Sequence, residues 1–522
     1  MRFLPISRRS LLVELEDLAQ TLALYDAMRA DPLPGITDII PAARTLMIRT
    51  EPGTAADAAL AGAILARQPA PGTMPAARSD ETIELPVTYD GEDLPEIARL
   101  MELTEAEVIA AHQAATWQVA FCGFAPGFAY LSGDDPRFDL PRRSSPRTRI
   151  PAGSVALAGR FCGIYPRETP GGWQLLGRTA VPMWDLGRDP PALLQPGMRC
   201  RFVAQQARPH PSAALPPDRT PATAIRGLRI LATGFPITFQ DEGRPGQTGQ
   251  GVSGSGAMDI GALRRANRAV GNPSGAAALE ITLGPVRLRA ECMMVLALAG
   301  AARASIDGAP VPAGAAFALD PGDELLIAPP GSGMRSYLAM RGGYQVTPVL
   351  GSAATDTLAF VGPDALKAGD AIAPANGAAI AVAAPEMQPE LPGPGDLVEL
   401  PVTLGPRADW FTPDMLHHFL TQEWRVTPDS SRVGIRLQGE RPVTRIDARE
   451  LPSEGTETGA IQVPHSGQPV LFLADHPLTG GYPVIATLRP EALDLAGQIP
   501  PGARIRFVAD APFAAIEPMR FS

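Results

Sequence analysis

One eight-residue segment occurs twice in this chain of 522 residues, and its repetition constrains the fold more than any other feature. The copies PGMRCRFV (196–203) and PGARIRFV (501–508) agree at six of eight positions. Each follows an aromatic Gly-Gly turn, PGGW (170–173) or TGGY (479–482), by about 20 residues. Apolar residues that alternate after a Pro-Gly turn are typical of a half-buried strand. The repetition predicts two β-barrel-like modules of related design, one at the end of each half of the chain.

The hydrophobic pattern divides the chain into four regions. Residues 1–80 alternate between strand-like and helix-like segments, which predicts a small α/β subdomain. Residues 81–204 carry short strand patterns that end in the first copy of the repeat, so we expect the first barrel there. Residues 205–225 are rich in Pro and Ala, a composition that is typical of a linker. Residues 226–522 return to short strands with Gly and Pro turns, and we expect two barrel subdomains in them.

Helical patterns interrupt the strands at about 103–115, 259–270 and 412–423. In the first of these, Thr104 and Glu107 have the spacing of a capping box. The predicted fold class is therefore mainly β with α+β parts, with a barrel in both halves and a small α/β subdomain at the N-terminus.

Composition excludes several classes of function. The net charge of −10 argues against general nucleic-acid binding, which needs a broadly basic face. Four cysteines stand far apart without a C-x-x-C pair, so neither a disulfide scaffold nor a zinc site is predicted. The first residues become acidic too early for a signal peptide, and no apolar run is long enough to span a bilayer. We expect a cytoplasmic protein without a metal site or a membrane partner, and homo-oligomers remain possible.

Lysine is nearly absent, because Lys367 is the only one among 45 basic residues. The phosphate-binding motif G-x-x-x-x-G-K-[ST] needs a lysine, and nothing of that kind precedes Lys367. A biotin carrier needs a lysine between methionines, which this chain also lacks. We therefore expect no covalently bound biotin, and any ATP must be bound by residues other than this phosphate-binding motif.

A first candidate site lies in the first half. The segment GFAPGF (123–128) places glycines, which let backbone N–H groups approach a ligand, around a proline that fixes the turn. Arginines follow at 142–149, and their planar donor forks suit carboxylate or phosphate. Taken alone, this pattern also fits a β-bulge with a solvated basic loop. The candidate residues are Gly123, Phe124, Pro126, Gly127, Phe128, Arg142, Arg143, Arg147, Ser154, Gly172 and Trp173.

The second half contains G-x-G-x-x-G at Gly249, Gly251 and Gly254, but a polar segment instead of a buried strand precedes it. A dinucleotide site is therefore not predicted. The alternatives are an anion site at the start of the following helix and a mobile surface loop. Polar residues at turns extend the set of candidates, which here are Asp241, Arg244, Asp259, Asn267, Arg432, Ser453, Glu454, Gln462, Asp475, Thr479, Gly480, Gly481 and Tyr482.

Several segments carry a family resemblance. GFAPGFAYL, PRRSSPRTRIPAGSVALAG, IYP and PGGW resemble the allophanate-hydrolase-subunit-1-like family, which includes the kinase inhibitor KipI and the B subunit of 5-oxoprolinase. QDEGRPG, SGAMD, ANRAVGN, ALEITLGP, SRVGIRL, SEGTETGAIQVP and TGGYP resemble its partner family, which includes the KipI antagonist KipA and the C subunit of 5-oxoprolinase. Both families are similar to the carboxyltransferase region of urea carboxylases. The chain resembles the B and C subunits of 5-oxoprolinase fused head to tail.

The resemblance implies cyclophilin-like β-barrels in both halves. It also implies an ATP-dependent 5-oxoprolinase, in which ATP with Mg²⁺ is a co-substrate and a separate protein like the A subunit of 5-oxoprolinase is the partner. Activation of a lactam carbonyl by phosphoryl transfer needs cationic groups. The catalytic candidates are Arg142, Arg147, Asp241, Arg244 and Asp475. One alternative is a carboxyltransferase that acts on urea or another amide with carboxybiotin supplied in trans, and another is a KipI/KipA-like regulator that binds a histidine kinase.

The chain departs from the family pattern at three points. Where the partner family commonly has G-S-R-S-T-D, residues 351–356 are GSAATD, so an arginine is missing. Where D-R-Q-T-T-G-G-Y is common, residues 475–482 are DHPLTGGY. The B-like half also precedes the C-like half, the reverse of the order in urea carboxylase. The resemblance therefore implies no role for the side chains that are replaced at these positions.

Overall fold

The computed structural model describes residues 1–70, 72, 82–143, 145, 147–206, 226–447 and 449–519. Strands make up 34% of the chain and helices 15%, so the predicted mainly β class is confirmed. The predicted linker at 205–225 lies outside the described residues except for its first two positions, and so does the predicted boundary at 80–81. No helix in the described part of the chain is long and apolar enough to cross a membrane.

The N-terminal subdomain is an antiparallel sheet of four strands in the order β1-β2-β4-β3, with two helices packed on it. The first helix begins where the Asp17 carboxylate accepts a hydrogen bond from the N–H of Gln20 at 2.8 Å. The elements are β1 (Arg2–Ser7), β2 (Ser10–Glu14), α1 (Leu18–Ala30), β3 (Ile36–Pro41), β4 (Thr45–Thr50) and α2 (Ala58–Leu65).

The first barrel is a seven-stranded sheet in the order β12-β9-β10-β7-β6-β13-β5, whose edges meet at a bridge between Thr88 and Arg178. The capping box of Thr104 and Glu107 is present at the start of α4. The elements are β5 (Thr82–Val87), α3 (Leu94–Met101), α4 (Glu105–Ala114), β6 (Trp117–Cys122), β7 (Ala129–Gly133), β8 (Arg147–Ile150), β9 (Ser154–Ala158), β10 (Phe161–Ile164), β11 (Thr169–Gly171), β12 (Gln174–Arg178) and β13 (Arg199–Ala204).

The middle region consists of a six-stranded and a five-stranded sheet that share one apolar core. Helix α5 packs on the five-stranded sheet through alanines on both sides, which lets the two elements approach closely. The elements are β14 (Leu228–Thr233), β15 (Ile237–Gln240), α5 (Ile260–Val270), β16 (Ala278–Thr282), β17 (Val286–Ala290), β18 (Met294–Gly300), β19 (Ala304–Ile306), β20 (Ala309–Pro310), β21 (Ala316–Leu319), β22 (Glu324–Ile327), β23 (Arg335–Met340) and β24 (Ala371–Ile372).

The last barrel is closed, with the strand order β25-β32-β29-β30-β27-β26-β33. Its elements are β25 (Leu397–Leu404), α6 (Pro413–Thr421), β26 (Trp424–Val426), β27 (Gly434–Gln438), β28 (Glu454–Gly455), β29 (Ala460–Gln462), β30 (Val470–Phe472), β31 (Thr479–Gly480), β32 (Val484–Leu488), α7 (Leu493–Ala496) and β33 (Arg504–Ala509). Short 3-10 turns lie at Pro136–Phe138, Thr248–Gln250, Ala408–Trp410 and Pro490–Ala492.

The two barrels share one design. Strand by strand, β5, β6, β7, β9, β10, β12 and β13 have the same neighbours as β25, β26, β27, β29, β30, β32 and β33. In both, the strand that contains the repeated segment pairs in parallel with the first strand. The Nε1 of Trp117 donates to the carbonyl of His112 at 3.1 Å, and that of Trp424 donates to Phe419 at 2.9 Å. The predicted relationship between the two barrels is confirmed.

The N-terminal subdomain docks on the last barrel through buried ion pairs. An Nη1 of Arg407 donates to Glu14 at 2.7 Å, and its Nε donates to Glu454 at 3.0 Å. The hydroxyl of Ser10 donates to Glu457 at 2.6 Å. Burial raises the pKa of Glu454 above its usual value, although Arg407 opposes this effect. Side chains about 400 positions later in the chain therefore hold the N-terminal subdomain in place.

We expect Arg407→Met to destabilise the docked N-terminal subdomain by about 3–5 kcal/mol at pH 7, because it leaves two carboxylates without their buried partner. The loss should be smaller in mildly acidic buffer than at pH 7, because burial raises the pKa of Glu454 and so favours its neutral form. Urea unfolding followed at both pH values measures the effect.

Two further variants control that experiment. Arg407→Met combined with Glu454→Gln should recover part of the loss, because the buried charge is then removed. Arg506→Met breaks an ion pair with Glu399 in which both side chains are exposed, and it should cost about 1 kcal/mol or less. Equal losses for Arg407→Met and Arg506→Met would contradict the importance of the buried pair.

Candidate functional site

A cavity of about 710 Å³ lies where the N-terminal subdomain, the first barrel and a loop of the last barrel meet. We call it the junction cavity. Its volume falls within the range of about 300–1,000 Å³ that is common for small-molecule sites. Its lining residues are Glu16, Asp17, Leu18, Ala43, Arg44, Tyr130, Asp139, Leu140, Pro141, Arg142, Ala158, Gly159, Arg160, Phe161, Trp173, Glu450, Leu451, Pro452 and Ser453.

Aromatic side chains of the first barrel form one wall of the junction cavity. The ring of Tyr130 on β7 lies 5.6 Å from that of Trp173 and 5.6 Å from that of Phe161, edge to face. Phe121 on β6 stacks on Tyr130 with a centroid distance of 4.3 Å. Such packed rings give a rigid apolar surface with one polar end at the Tyr130 hydroxyl.

Tyr130 is influenced by the other half of the chain, because the hydroxyls of Ser453 and Thr479 act on the pKa of its phenol. Thr479 in turn accepts a hydrogen bond from the N–H of Phe124 at 3.2 Å. Burial raises the pKa of Tyr130, while the positive charge of Arg142 and the two hydroxyls act in the opposite direction. The group therefore keeps its proton at neutral pH and is a hydrogen-bond donor.

Arginines supply the positive charge of the junction cavity. Arg142 is about half exposed, and its Nε lies 3.7 Å from the carboxylate of Glu450 across the cavity. An exposed pair at that distance contributes little stability, about 0–1 kcal/mol, so an anionic ligand can replace Glu450. Arg44 donates to the carbonyl of Leu15 at 3.3 Å. Arg160 is the third arginine that lines the cavity.

Arg143 and Arg147 do not line the junction cavity. Both donate to the buried carboxylate of Asp93, Arg147 at 2.8 Å, and the N–H of Arg143 donates to the carbonyl of Gly172. Burial raises the pKa of Asp93, but hydrogen bonds from Arg147 and Leu175 and the charges of both arginines outweigh it, and the pKa is lowered. These two arginines fix the loop that carries Arg142. Ser154 stabilises the turn before β9, since its hydroxyl donates to the carbonyl of Pro151.

The GFAPGF turn lies at a second junction, against the middle region. A side chain at Gly251, which has a φ of +76°, would place its Cβ 2.8 Å from the carbonyl oxygen of Ala125. The N–H of Gly127 donates to the carbonyl of Gln250 at 3.0 Å. The glycine loop thus packs backbone to backbone on the turn. Phe124 and Pro126 line a space large enough for about one water molecule, and Phe128 packs in the aromatic core.

Arg432 and Asp475 belong to a buried ionic cluster that joins the middle region to the last barrel. Arg432 donates to both oxygens of Asp475 at 2.9 Å and to Glu280 at 2.5 Å. Asp475 also accepts hydrogen bonds from the hydroxyls of Ser255 at 2.6 Å and Thr357 at 2.7 Å. Every oxygen of Asp475 therefore has protein partners, and its role in this structure is to hold two loops together.

Asp241 and Arg244 lie beside that cluster. Asp241 accepts from the hydroxyl of Ser352 at 2.6 Å and from the N–H groups of Gly243 and Ala353, so it fixes the loop at 351–356. Arg244 is fully buried and donates to the carbonyl of Ala354. Burial and the neighbouring Asp475 raise the pKa of Asp356 to about 6.

The remaining candidates occupy structural positions. Asp259 caps α5 by accepting from the N–H of Ala262 at 2.7 Å, and burial raises its pKa. Asn267 donates to the carbonyl of Ala276 at 2.7 Å. Glu454 is paired with Arg407. Gln462 donates to the carbonyl of Tyr482 at 3.1 Å and packs on Gly480, next to Gly481.

The structure thus brings Arg142, Trp173 and Ser453 together at the junction cavity, with Phe124 and Thr479 behind its wall. Sequence reasoning missed Tyr130, Arg44, Arg160 and Glu450. Tyr130 stands within the segment GFAPGFAYL, and its place there was a usable signal. Arg44 and Glu450 come from distant parts of the chain, and no local pattern marks them.

The junction cavity combines three arginines and four carboxylates with hydroxyl groups and an aromatic wall. That set of groups suits a small polar ligand, and the arginines suit one that carries a carboxylate. Among the described residues, no group of three or more His, Cys, Asp or Glu side chains is placed to hold a metal ion.

Comparisons with known proteins agree with the two-part organisation. A sequence model of the carboxyltransferase domain, subdomain C and D, matches residues 1–194, and one of subdomain A and B matches residues 250–509. The crystal structure of TTHA0988 has a TM-score of 0.81 and 33% identity, and the match covers 96% of this chain and 99% of that one.

Curated relatives match each half. The C subunit of 5-oxoprolinase from Escherichia coli (strain K12) is 38% identical over 285 residues, which are 54% of this chain and 90% of that protein. The B subunit of 5-oxoprolinase from Bacillus subtilis (strain 168) is 47% identical over 124 residues, 23% of this chain and 52% of that protein. Urea amidolyase of Lachancea kluyveri is 32% identical over 307 residues, but these are only 17% of its length. The chain therefore belongs to the carboxyltransferase-domain family and is homologous to the B and C subunits of 5-oxoprolinase, in that order.

Proposed function

We propose that the protein is the B–C component of an ATP-dependent 5-oxoprolinase, which cleaves 5-oxoproline to L-glutamate together with a separate protein of the A-subunit type. The observation that carries this proposal is the junction cavity, because the B-like and C-like halves line it together. The relatives of the two halves are named as separate subunits, whereas here one chain carries both halves.

The substrate has features that match the lining. 5-Oxoproline is a five-membered lactam with one carboxylate, and Arg142 is placed to bind that carboxylate in exchange for Glu450. The lactam carbonyl resists attack by water, so ATP is needed to activate it by phosphoryl transfer. Arg44 and Arg160 would stabilise the negative charge that develops in such a transfer. The cavity exceeds the volume of 5-oxoproline, which leaves room for the terminal phosphates of ATP with Mg²⁺.

The direct test mixes this protein with the A-type partner from the same source, 5-oxoproline, ATP and Mg²⁺. We expect glutamate and ADP to be released in equal amounts, and only when both proteins are present. Controls omit each protein, ATP or 5-oxoproline in turn. ADP release without glutamate, or no turnover from folded components, would contradict the proposal for this substrate.

Arg142→Met should raise the KM for 5-oxoproline about 10- to 100-fold, because a charge-assisted hydrogen bond to the carboxylate is worth about 1.5–3 kcal/mol. Arg149→Met is the matched control, since Arg149 lies on the adjacent strand β8, is exposed and pairs with Glu168 outside the cavity. Steady-state kinetics should show a nearly unchanged KM for the control. A similar change in both variants would indicate an effect on the loop instead of on binding.

The similarity to urea amidolyase favours a second candidate function, carboxyl transfer to urea or another amide with carboxybiotin supplied in trans. The same arginines and hydroxyls would suit an amide substrate. The discriminating assay supplies a carboxylated biotin carrier and urea without ATP. A carboxylated amide product would favour this function, and its absence alongside ATP-dependent glutamate release would exclude it.

A further inference from the structure

A smaller cavity of about 290 Å³ adjoins the junction cavity, and we call it the side cavity. The two cavities share Arg44, Glu450, Leu451 and Pro452, so these residues form the wall between them. Four arginines and four carboxylates line the side cavity, which gives no excess of either charge. Such a lining suits a ligand that itself carries both charges, as an amino acid does.

Most charges of the side cavity already have partners in the chain. Arg407 is occupied by two buried carboxylates. Arg2 donates to Glu14 and to Asp409, each at 2.8 Å. Arg449 is 85% exposed and pairs with a neighbouring aspartate. The two charged residues that remain available both stand in the shared wall.

Arg44 and Glu450 are these two residues. Among the described residues, Arg44 forms no ion pair, and its guanidinium donates only to the carbonyl of Leu15 at 3.3 Å. The Glu450 side chain is 62% exposed, and its contact with Arg142 is long, at 3.7 Å. When a substrate carboxylate replaces Glu450 at Arg142, Glu450 loses this contact as well. The wall then presents one free cation and one free anion.

Ring opening gives the ligand a charge that the substrate lacks. Water breaks the C–N bond of the lactam: its oxygen ends in the γ-carboxylate, and both of its protons end on the nitrogen, which becomes an α-ammonium group. A second water molecule accounts for the conversion of ATP to ADP and phosphate. The nitrogen of 5-oxoproline is neutral, whereas that of L-glutamate is a cation and pairs well with a carboxylate.

We propose that Glu450 and Arg44 form a product-binding site in this wall, where Glu450 binds the α-ammonium group of L-glutamate and Arg44 binds its γ-carboxylate. This inference rests on the proposed function, because it takes L-glutamate as the product. Glu450 contacts Arg142 in the empty site and the ammonium group once the ring is open. The ring-opened product is longer than the substrate, and the side cavity gives it room to leave the place of cleavage.

Two ligands that differ only in the ammonium group test the role of Glu450. Glutarate has both carboxylates of L-glutamate but no amino group. Isothermal titration of the full chain, alone and with the A-type partner, should show that Glu450→Gln weakens L-glutamate about 3- to 10-fold. Glutarate should bind at least as tightly as before, because a carboxylate that repels it has been removed. Arg44→Met should weaken both ligands, since both carry the γ-carboxylate.

Glu16→Gln is the matched control. Glu16 also lines the junction cavity, but it is not part of the shared wall, and it accepts a hydrogen bond from the Gln20 amide at 2.9 Å. This variant should leave the ratio of the two affinities unchanged. In turnover of 5-oxoproline, Glu450→Gln should raise the inhibition constant of added L-glutamate by the same 3- to 10-fold, and Glu16→Gln should not.

Each other outcome has a distinct meaning. If Glu450→Gln weakens both ligands equally or neither of them, Glu450 does not bind the ammonium group and the inference is wrong. If the unmodified protein cleaves 5-oxoproline with its partner but binds L-glutamate no better than glutarate, the proposed function stands and the inference is wrong. If Glu450 distinguishes the two ligands but 5-oxoproline is not cleaved, the ammonium site stands and its role in product binding falls with the proposed function.

Discussion

The contact between Thr479 and the GFAPGF turn is the constraint on which the site depends. The Thr479 hydroxyl lies 3.2 Å from the N–H of Phe124, and a Cβ on Gly123 would come within 2.3 Å of the same oxygen. Only glycine permits this approach, since any side chain would push the two segments apart. Residues separated by about 350 positions thus meet at one point, and the junction cavity forms beside it.

Features with a local cause were predictable from the sequence. The strand that follows each Pro-Gly turn depends on alternating apolar residues, and both copies form the expected strand. The capping box of Thr104 and Glu107 involves hydrogen bonds across three positions, so its pattern is visible in the chain. The helix at Ile260–Val270 follows an aspartate that caps it. In each case the partners are neighbours in sequence.

The roles of the charged side chains could not be predicted, because their partners are distant. Arg142 and Arg147 stand close together in the chain and look equivalent in sequence, yet Asp93, more than 50 positions earlier, binds Arg147. Arg142 extends instead toward Glu450 of the other half. Asp475 is likewise bound by Arg432 and two hydroxyls, an arrangement that only the packing of the middle region on the last barrel produces. Which arginine binds a ligand is therefore a property of the fold and not of the motif.

Duplication of the barrel did not duplicate the site. Trp173 and Tyr482 occupy equivalent positions after a Gly-Gly turn, but Trp173 is 6% exposed and Tyr482 is 39% exposed. Trp173 packs on Phe128 and Tyr130 beside the junction cavity, which the N-terminal subdomain and the loop at 450–453 also line. Within the described residues, the last barrel instead supplies that loop and the hydroxyls of Ser453 and Thr479. One barrel thus provides the wall of the cavity, and its copy provides the groups that complete it.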